Sequence, residues 1–284
     1  MRNVIINRIA ALVASLSLLF GISGCGINTA ELSEDGLTVH YIDVGQADAA
    51  LVECGGEDMM IDGGNVADSS LVVSYLKDEN VDNLKYVIGT HAHEDHIGGL
   101  AGILSQYTAD NVICSQDSYT TKAFKNFKKY AEKQGKEITV PKAGDTMTLG
   151  SSKIEILGPV NSSDDLNNRS IVLKITYGNT SFLFEGDAEY DEEHDILESG
   201  ADISADVLKV GHHGSKTSTS YSYLREIMPA YAVVSVGKDN DYGHPHDDTM
   251  SRLRDSGAEI YRTDEHGTVI VKSDGNDITI QTEK

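Results

Sequence analysis

From Leu37 onward, short apolar runs alternate with breaks at Gly, Asn or Asp, the pattern of strands joined by tight turns. It predicts strands over Leu37–Val44, Ala49–Cys54 and Met59–Asp62, a helix over Leu71–Leu76, and a strand over Tyr86–Thr90. Ile97–Gln106 and Thr120–Gln134 carry helical periodicity, the second with Phe124, Phe127 and Tyr130 on one face and lysines opposite. The second half repeats the style. Strands are expected at Lys153–Leu157, Ser170–Tyr177 and Ser181–Glu185, the last two joined by a Tyr177-Gly178-Asn179-Thr180 hairpin. Helices at Glu189–Ser199, Thr219–Ile227 and Asp247–Ser256 alternate with strands at Val207–Val210, Ala230–Val236 and Ile260–Arg262. Two more strands, Thr268–Val271 and Ile278–Gln281, close the chain. No Pro- or Ser-rich linker divides residues 37–284, so they read as one layered α/β domain of two β-rich halves with helices outside.

The first 30 residues differ in kind. Arg2 and Arg8 precede an apolar run from Ile9 to Ile22, and no acid appears before Glu31. A charged start and a short apolar stretch form a secretory signal rather than a bilayer span. Ile22-Ser23-Gly24-Cys25 resembles the bacterial lipobox. It implies a lipoprotein signal peptide over 1–24 and a lipidated Cys25, an uncleaved anchor helix or an ordinary signal peptide being the plainer readings. A polar tether over 25–36 and an extracytoplasmic, membrane-anchored protein follow. Cys54 and Cys114 could pair there, but two cysteines are no disulfide framework, and both read by default as small buried apolar residues.

The 284-residue chain carries 45 acids against 23 Lys and Arg, a formal charge of −22. Such a surface repels polyanions and headgroups at long range, which argues against a broad nucleic-acid-binding face. A small anionic substrate held through a divalent cation stays open. The lysines Lys122, Lys125, Lys128, Lys129 and Lys133 recur on one helix face. They read as a solvated face or as a rest for a phosphate backbone.

Seven of the ten histidines are clustered. Thr90-His91-Ala92-His93-Glu94-Asp95-His96 follows an expected strand and precedes a helix. His91 and His93 alternate toward one point while Asp95 and His96 can turn to a second. Neutral imidazoles beside carboxylates suit borderline divalent metals such as zinc. Asp187 ends an apolar strand, where a carboxylate can bridge two ions. His212 and His213 follow another strand, so one can complete a metal site while its neighbour meets substrate. His244 and His246 flank Pro245 in a turn that either faces the cleft or is merely solvated.

Together these residues resemble the metallo-β-lactamase fold superfamily. The resemblance implies a four-layer αββα sandwich with His91, His93, Asp95, His96, Asp187 and His212 or His213 as metal ligands. Asp62, in Ile61-Asp62-Gly63-Gly64, matches an aspartate that orients a ligand from behind. The stretches Tyr41–Ala49, Asn168–Leu173, Val210–Ser215, Tyr242–His246 and Tyr261–Asp264 look like the hydrolase domain of ComEC-type DNA-uptake proteins and their stand-alone relatives. Two departures stand out. Ala47 replaces a usual Gly, and no histidine lies between Ile97 and Gly186, where Asn167 or Asn168 takes its place. His244 and His246 are candidates to compensate. The implied cofactors are two divalent ions, zinc or manganese. Catalysis would rest on Asp95, Asp187 and His244, supported by Asn168 and Ser215. The implied activity is hydrolysis of a phosphodiester, DNA included, with Ser215, Lys209 and His244 as candidate phosphate contacts and snorkelling to solvent as the other reading of Lys209. Alternatives are ester, lactam or thioester hydrolysis on the same scaffold, or a non-catalytic metal-binding lipoprotein of an uptake or envelope complex. No protein partner is identifiable.

Overall fold

The computed structural model describes residues 36–284; the expected signal peptide and Cys25 lie outside them. The chain opens with an antiparallel meander of β1 (Leu37–Tyr41), β2 (Ala49–Cys54) and β3 (Glu57–Gly63). Crossovers through α1 (Ser69–Asp78), then α2 (Glu94–Ile97) with α3 (Leu100–Gln106), then α4 (Lys122–Lys133) add parallel strands β4 (Asn83–Gly89), β5 (Thr108–Cys114) and β6 (Ile138–Thr139). A second sheet starts as antiparallel β7 (Thr146–Leu149), β8 (Ser152–Gly158), β9 (Val172–Tyr177) and β10 (Thr180–Phe184). It then grows in parallel through α5 (Tyr190–Ser199), β11 (Val207–Lys209), α6 (Tyr221–Ile227), β12 (Tyr231–Val234), α7 (Asp247–Ser256) and β13 (Glu259–Arg262). Past α8 (Thr263–His266), β14 (Val269–Ser273) returns to pair with β1, and β15 (Ile278–Thr282) forms the edge. The strand orders are β15-β14-β1-β2-β3-β4-β5-β6 and β13-β12-β11-β10-β9-β8-β7.

The period-2 alternation of the strands separates three cores. Phe182 and Phe184 point between the sheets, with Tyr41, Met59 and Ile175, while Leu183 between them faces α5–α7 with Ile196, Leu224 and Leu253. On the first sheet Leu51 and Met60 face the other way and pack with Leu76, Ile103, Phe124 and Phe127 of α1, α3 and α4. Two sheets face to face, each covered by helices, make the four-layer αββα sandwich. Cys54 is buried in the central core and Cys114 in the layer under α3 and α4, and no disulfide joins them.

Differences from the expected elements have local causes. The expected Ile97–Gln106 helix is split at Gly98-Gly99. A Cβ on Gly99 would run into the carbonyl oxygen of Gly63, so these glycines let the start of α3 lie against β3. The strand expected to reach Val44 stops at Tyr41, where the chain turns through Gly45 at φ 71° toward β2. No described helix is long and apolar enough to cross a membrane.

Candidate metal centre

Every cluster singled out in the sequence arrives at one edge of the sandwich. The C-terminal ends of parallel β3, β4, β10 and β11 deliver Asp62, His91–His96, Asp187 and His212–His213. The starts of β2 and β9 deliver Asp48 and Ser170 to the same edge. Asp62, His212 and His213 have φ of 59°, 46° and 54°. Non-glycine residues in the left-handed region cost about 1–3 kcal/mol each and persist where the surroundings enforce them, commonly at functional sites.

Asp187 divides the cluster in two. One ligand atom from each of Asp95, His96, Asp187 and His213 lies within 4.8 Å of the others, and so do atoms of His91, His93 and Asp187. In the first group Asp187 Oδ1 is 3.2 Å from His96 Nε2 and 3.8 Å from His213 Nε2, while Asp95 Oδ2 is 3.3 Å from His213 Nε2. In the second, Asp187 Oδ2 is 3.8 Å from His91 Nε2, which is 2.9 Å from His93 Nδ1. His212 Nε2 approaches the same Oδ2 at 3.7 Å.

Each imidazole is turned by a group behind it. Asp62 accepts from His96 Nδ1 at 2.7 Å, which leaves the Nε2 lone pair facing Asp187. Asp62 is itself held by the Thr90 amide and hydroxyl, both at 2.7 Å. His213 Nδ1 donates to the Ser235 carbonyl at 3.0 Å with Asp48 Oδ1 at 3.3 Å. His91 Nδ1 lies 3.3 Å from the hydroxyls of both Ser170 and Thr90, and His212 Nδ1 lies 3.1 Å from Glu189.

The donor set fits divalent cations on an observation internal to the site. His96 Nε2, His213 Nε2 and Asp187 Oδ1 are fully buried, converge, and have no hydrogen-bond partner. Polar atoms this deep without a hydrogen bond are costly, and nitrogen and carboxylate oxygen are the donors zinc and manganese take. The electrostatics agree. Burial pushes the Asp187 carboxyl up, but His96, His213 and His212 override it and hold it well below the usual range. Burial likewise opposes charge on His213, yet Asp187 and Asp48 raise it to about 10. His96 is raised well above its usual value against burial, by Asp187, Asp62 and Asp95. The pocket therefore favours positive charge where its lone pairs meet.

Of the supporting residues, Lys209 and His246 sit apart from the roles expected of them. Lys209 is no phosphate contact: it is buried and its Nζ is 2.8 Å from Asp48 Oδ2. The Ser215 amide donates to the His212 carbonyl at 2.8 Å, and its hydroxyl bonds Thr217 at 2.9 Å, which donates to Glu189, so the hydroxyl reaches the His212 ring only through those two side chains. Asn168 is buried and its Oδ1 accepts from the Glu189 amide at 3.0 Å, at the start of α5; Asn167 is the one that lines the cleft. His244 lines it too, with its ring 5.5 Å from that of His212, and burial together with His212 and His213 lowers its pKa to about 4. His246 instead accepts from the Lys216 amide at 3.1 Å and ties down the loop. Asp48 and Glu189 had no assigned role in the sequence, although Asp48 lies inside the Tyr41–Ala49 stretch.

Two helix-covered sheets with a carboxylate shared between imidazole groups at their edge define a metal-hydrolase scaffold. Residues 42–238 match the Metallo-beta-lactamase superfamily, and the chain belongs to that family, whose members are generally metal-dependent hydrolases. Among curated relatives it is 30% identical over 257 residues to ComE operon protein 3 of Bacillus subtilis, covering 84% of this chain and 33% of that protein. It is 33% identical over 248 residues to Recombination protein 2 of Haemophilus influenzae, covering 85% and 29%. Competence protein ComA of Neisseria gonorrhoeae is 28% identical, covering 83% and 32%. The chain thus spans about a third of the length of these relatives. Among solved structures, the metallo-beta-lactamase fold protein YhfI of Bacillus subtilis superposes with a TM-score of 0.55 at 15% identity, covering 87% of this chain and all of that one. A putative metal-dependent hydrolase of Parabacteroides distasonis gives 0.51 at 19% identity, covering 80% and 93%. At these identities the likeness is one of fold.

Proposed function

We propose that this protein is a metal-dependent phosphodiesterase that cuts nucleic acid outside the cytoplasm, anchored by lipid on Cys25. The observation that carries the reading is the pair of ligand groups sharing Asp187. A divalent pair bound there supplies Lewis-acid activation of water and stabilises charge on a phosphoryl oxygen. Asp95, His96 and His213 would hold one ion, His91 and His93 the other, with Asp187 common to both. Asp62, Asp48 and Ser170 keep the ring nitrogens aimed. His212, held by Glu189, is left to donate to a substrate oxygen. His244 stays neutral near pH 7 and can accept a proton at Nδ1, a buried atom with no partner of its own. The competence and recombination relatives support a nucleic-acid substrate, and the lipobox resemblance supports the location.

Metal analysis coupled to a screen of bis-nitrophenyl phosphate against a chromogenic lactam tests this. Phosphodiester turnover by the metal-loaded protein is expected, with Asp95→Ala and His91→Ala each losing metal and about a hundredfold or more of activity. Lactam turnover alone, or full activity in both variants, would remove the reading.

The lysine face of α4 supports a polymeric substrate. Residues 122–142 hold seven lysines against two glutamates in a chain of net charge −22. Thr121 Oγ accepts the Phe124 amide, Phe124 and Phe127 anchor the inner face, and Lys122, Lys125, Lys129 and Lys133 stay exposed. α4 packs on α2, which carries Asp95 and His96. Changing those four lysines to glutamate is expected to flatten the salt dependence of single-stranded DNA binding by about 3 in log–log slope, at roughly 0.7 per phosphate contact. An unchanged slope would return α4 to an ordinary solvated helix.

A further inference from the structure

The loop after β12 displays an aromatic ring where packing alone would not leave one. Tyr242 is 69% exposed, yet it lines the same cleft as Asp187, His212 and His244. Its ring stacks on His244 with centroids 5.7 Å apart and planes at 23°. His244 in turn stacks on His213 at 6.3 Å and 26°. A ladder of near-parallel rings therefore climbs from the metal centre to solvent, with Tyr242 as its outermost rung.

The loop is built to hold that rung still. Asn240 Oδ1 accepts from the amides of Tyr242 at 3.1 Å and His244 at 3.0 Å, and its Nδ2 donates to the carbonyls of Gly237 at 2.9 Å and His244 at 2.6 Å. One side chain thus closes the whole turn, with both carboxamide donors used. The ends are pinned as well. The Gly237 amide donates to Gln46 at 3.0 Å, and the His246 amide to the Gly214 carbonyl at 2.9 Å, beside His213. A rigid, wet aromatic face beside a polar cleft keeps apolar area in water, and a planar ligand would cover it at little cost in ordering.

Resting on the phosphodiesterase reading, we propose that Tyr242 is a stacking platform for a base of single-stranded nucleic acid. Two ring separations lie between Tyr242 and the ligand His213, so the stacked base belongs to a nucleotide flanking the one being cut. Any base presents a π face, so the contact is tolerant of sequence. A paired base has its faces covered by its neighbours in the duplex, so the platform selects single strands.

The test uses the metal-loaded protein with a short single-stranded oligodeoxynucleotide, the same sequence as a duplex, and methyl nitrophenyl phosphate, which has no base. In Tyr242→Ala the ratio of kcat/KM on the single strand to that on the small diester is expected to fall about ten- to a hundredfold through KM, and Tyr242→Trp to keep it. Asn240→Ala, which frees the loop, is expected to lose part of the same ratio. Binding is read separately by quenching of 2-aminopurine in an uncleavable phosphorothioate strand, present in wild type and lost in Tyr242→Ala. An unchanged ratio with unchanged quenching overturns the platform while leaving the phosphodiesterase standing. Equal loss on the duplex overturns the single-strand preference. If no phosphodiester is cut at all, the functional reading fails and the quenching alone decides the role of Tyr242.

Discussion

Asp187→Ala is expected to leave the protein folded but nearly free of bound metal, and to lower phosphodiester kcat/KM by roughly a thousandfold or more. The reason is topological. Asp187 is the member common to both ligand groups, so its loss weakens two sites where His91→Ala weakens one. Several kcal/mol of charge stabilisation would go with the ions, and each 1.36 kcal/mol is a factor of ten in rate. The substitution also removes the countercharge that His96 and His213 face at 3.2 and 3.8 Å. Asp187→Asn, of the same size, separates that effect from packing and is expected to behave alike. Elemental analysis after gel filtration and a circular dichroism melt decide the matter. Two retained equivalents of metal in a folded Asp187→Ala protein would remove Asp187 from the centre.

The parts of this centre that were legible in the sequence are those whose chemistry is local. His91, His93, Asp95 and His96 fall within six residues, and four donors of that kind in one loop have few structural uses. Asp187 and His212–His213 were legible because each follows an apolar strand, and the ends of parallel strands meet at one edge. What was hidden depends on contacts across the fold. Asp48 reaches His213 from the start of β2, 165 positions earlier in the chain, and Glu189 reaches His212 from the head of α5. No spacing rule encodes such pairs. Lys209 misled for the related reason that a lysine beside a histidine pair reads as a substrate contact until its partner is seen. The missed strands β5, β6 and β7 are weak as patterns. β5 opens on the polar Thr-Ala-Asp-Asn, β6 has two residues, and β7 is a four-residue edge strand in which two exposed threonines alternate with half-buried Met147 and buried Leu149.

Lys209→Met is expected to cost about 3–5 kcal/mol of stability at pH 7, the loss typical of stranding one partner of a buried ion pair. Lys209 and Asp48 are 4% and 5% exposed, and the ammonium also donates to the Val210 carbonyl at 2.9 Å. Methionine fills the space of the lysine stem but leaves the Asp48 carboxylate buried beside His213. Burial alone pushes that carboxyl up, while Lys209 and His213 outweigh it and hold it well below its usual value. A depressed carboxylate contributes stability above its unfolded value near 3.9 and loses it as pH falls. Removing Lys209 weakens the depression, so the deficit of Lys209→Met is expected to shrink as the pH falls and Asp48 takes up its proton in the folded variant before it does in the folded wild type. The double variant Asp48→Asn/Lys209→Met removes both charges and is expected to be more stable than Lys209→Met alone, because a neutral pair is cheaper to bury than a lone ion. It would still bind metal less tightly, since a carboxamide at position 48 no longer draws His213 into place as the carboxylate does. Urea denaturation of the two single variants and the double closes the cycle. A Lys209→Met loss under about 1 kcal/mol, or strictly additive single effects, would show that Lys209 and Asp48 act independently.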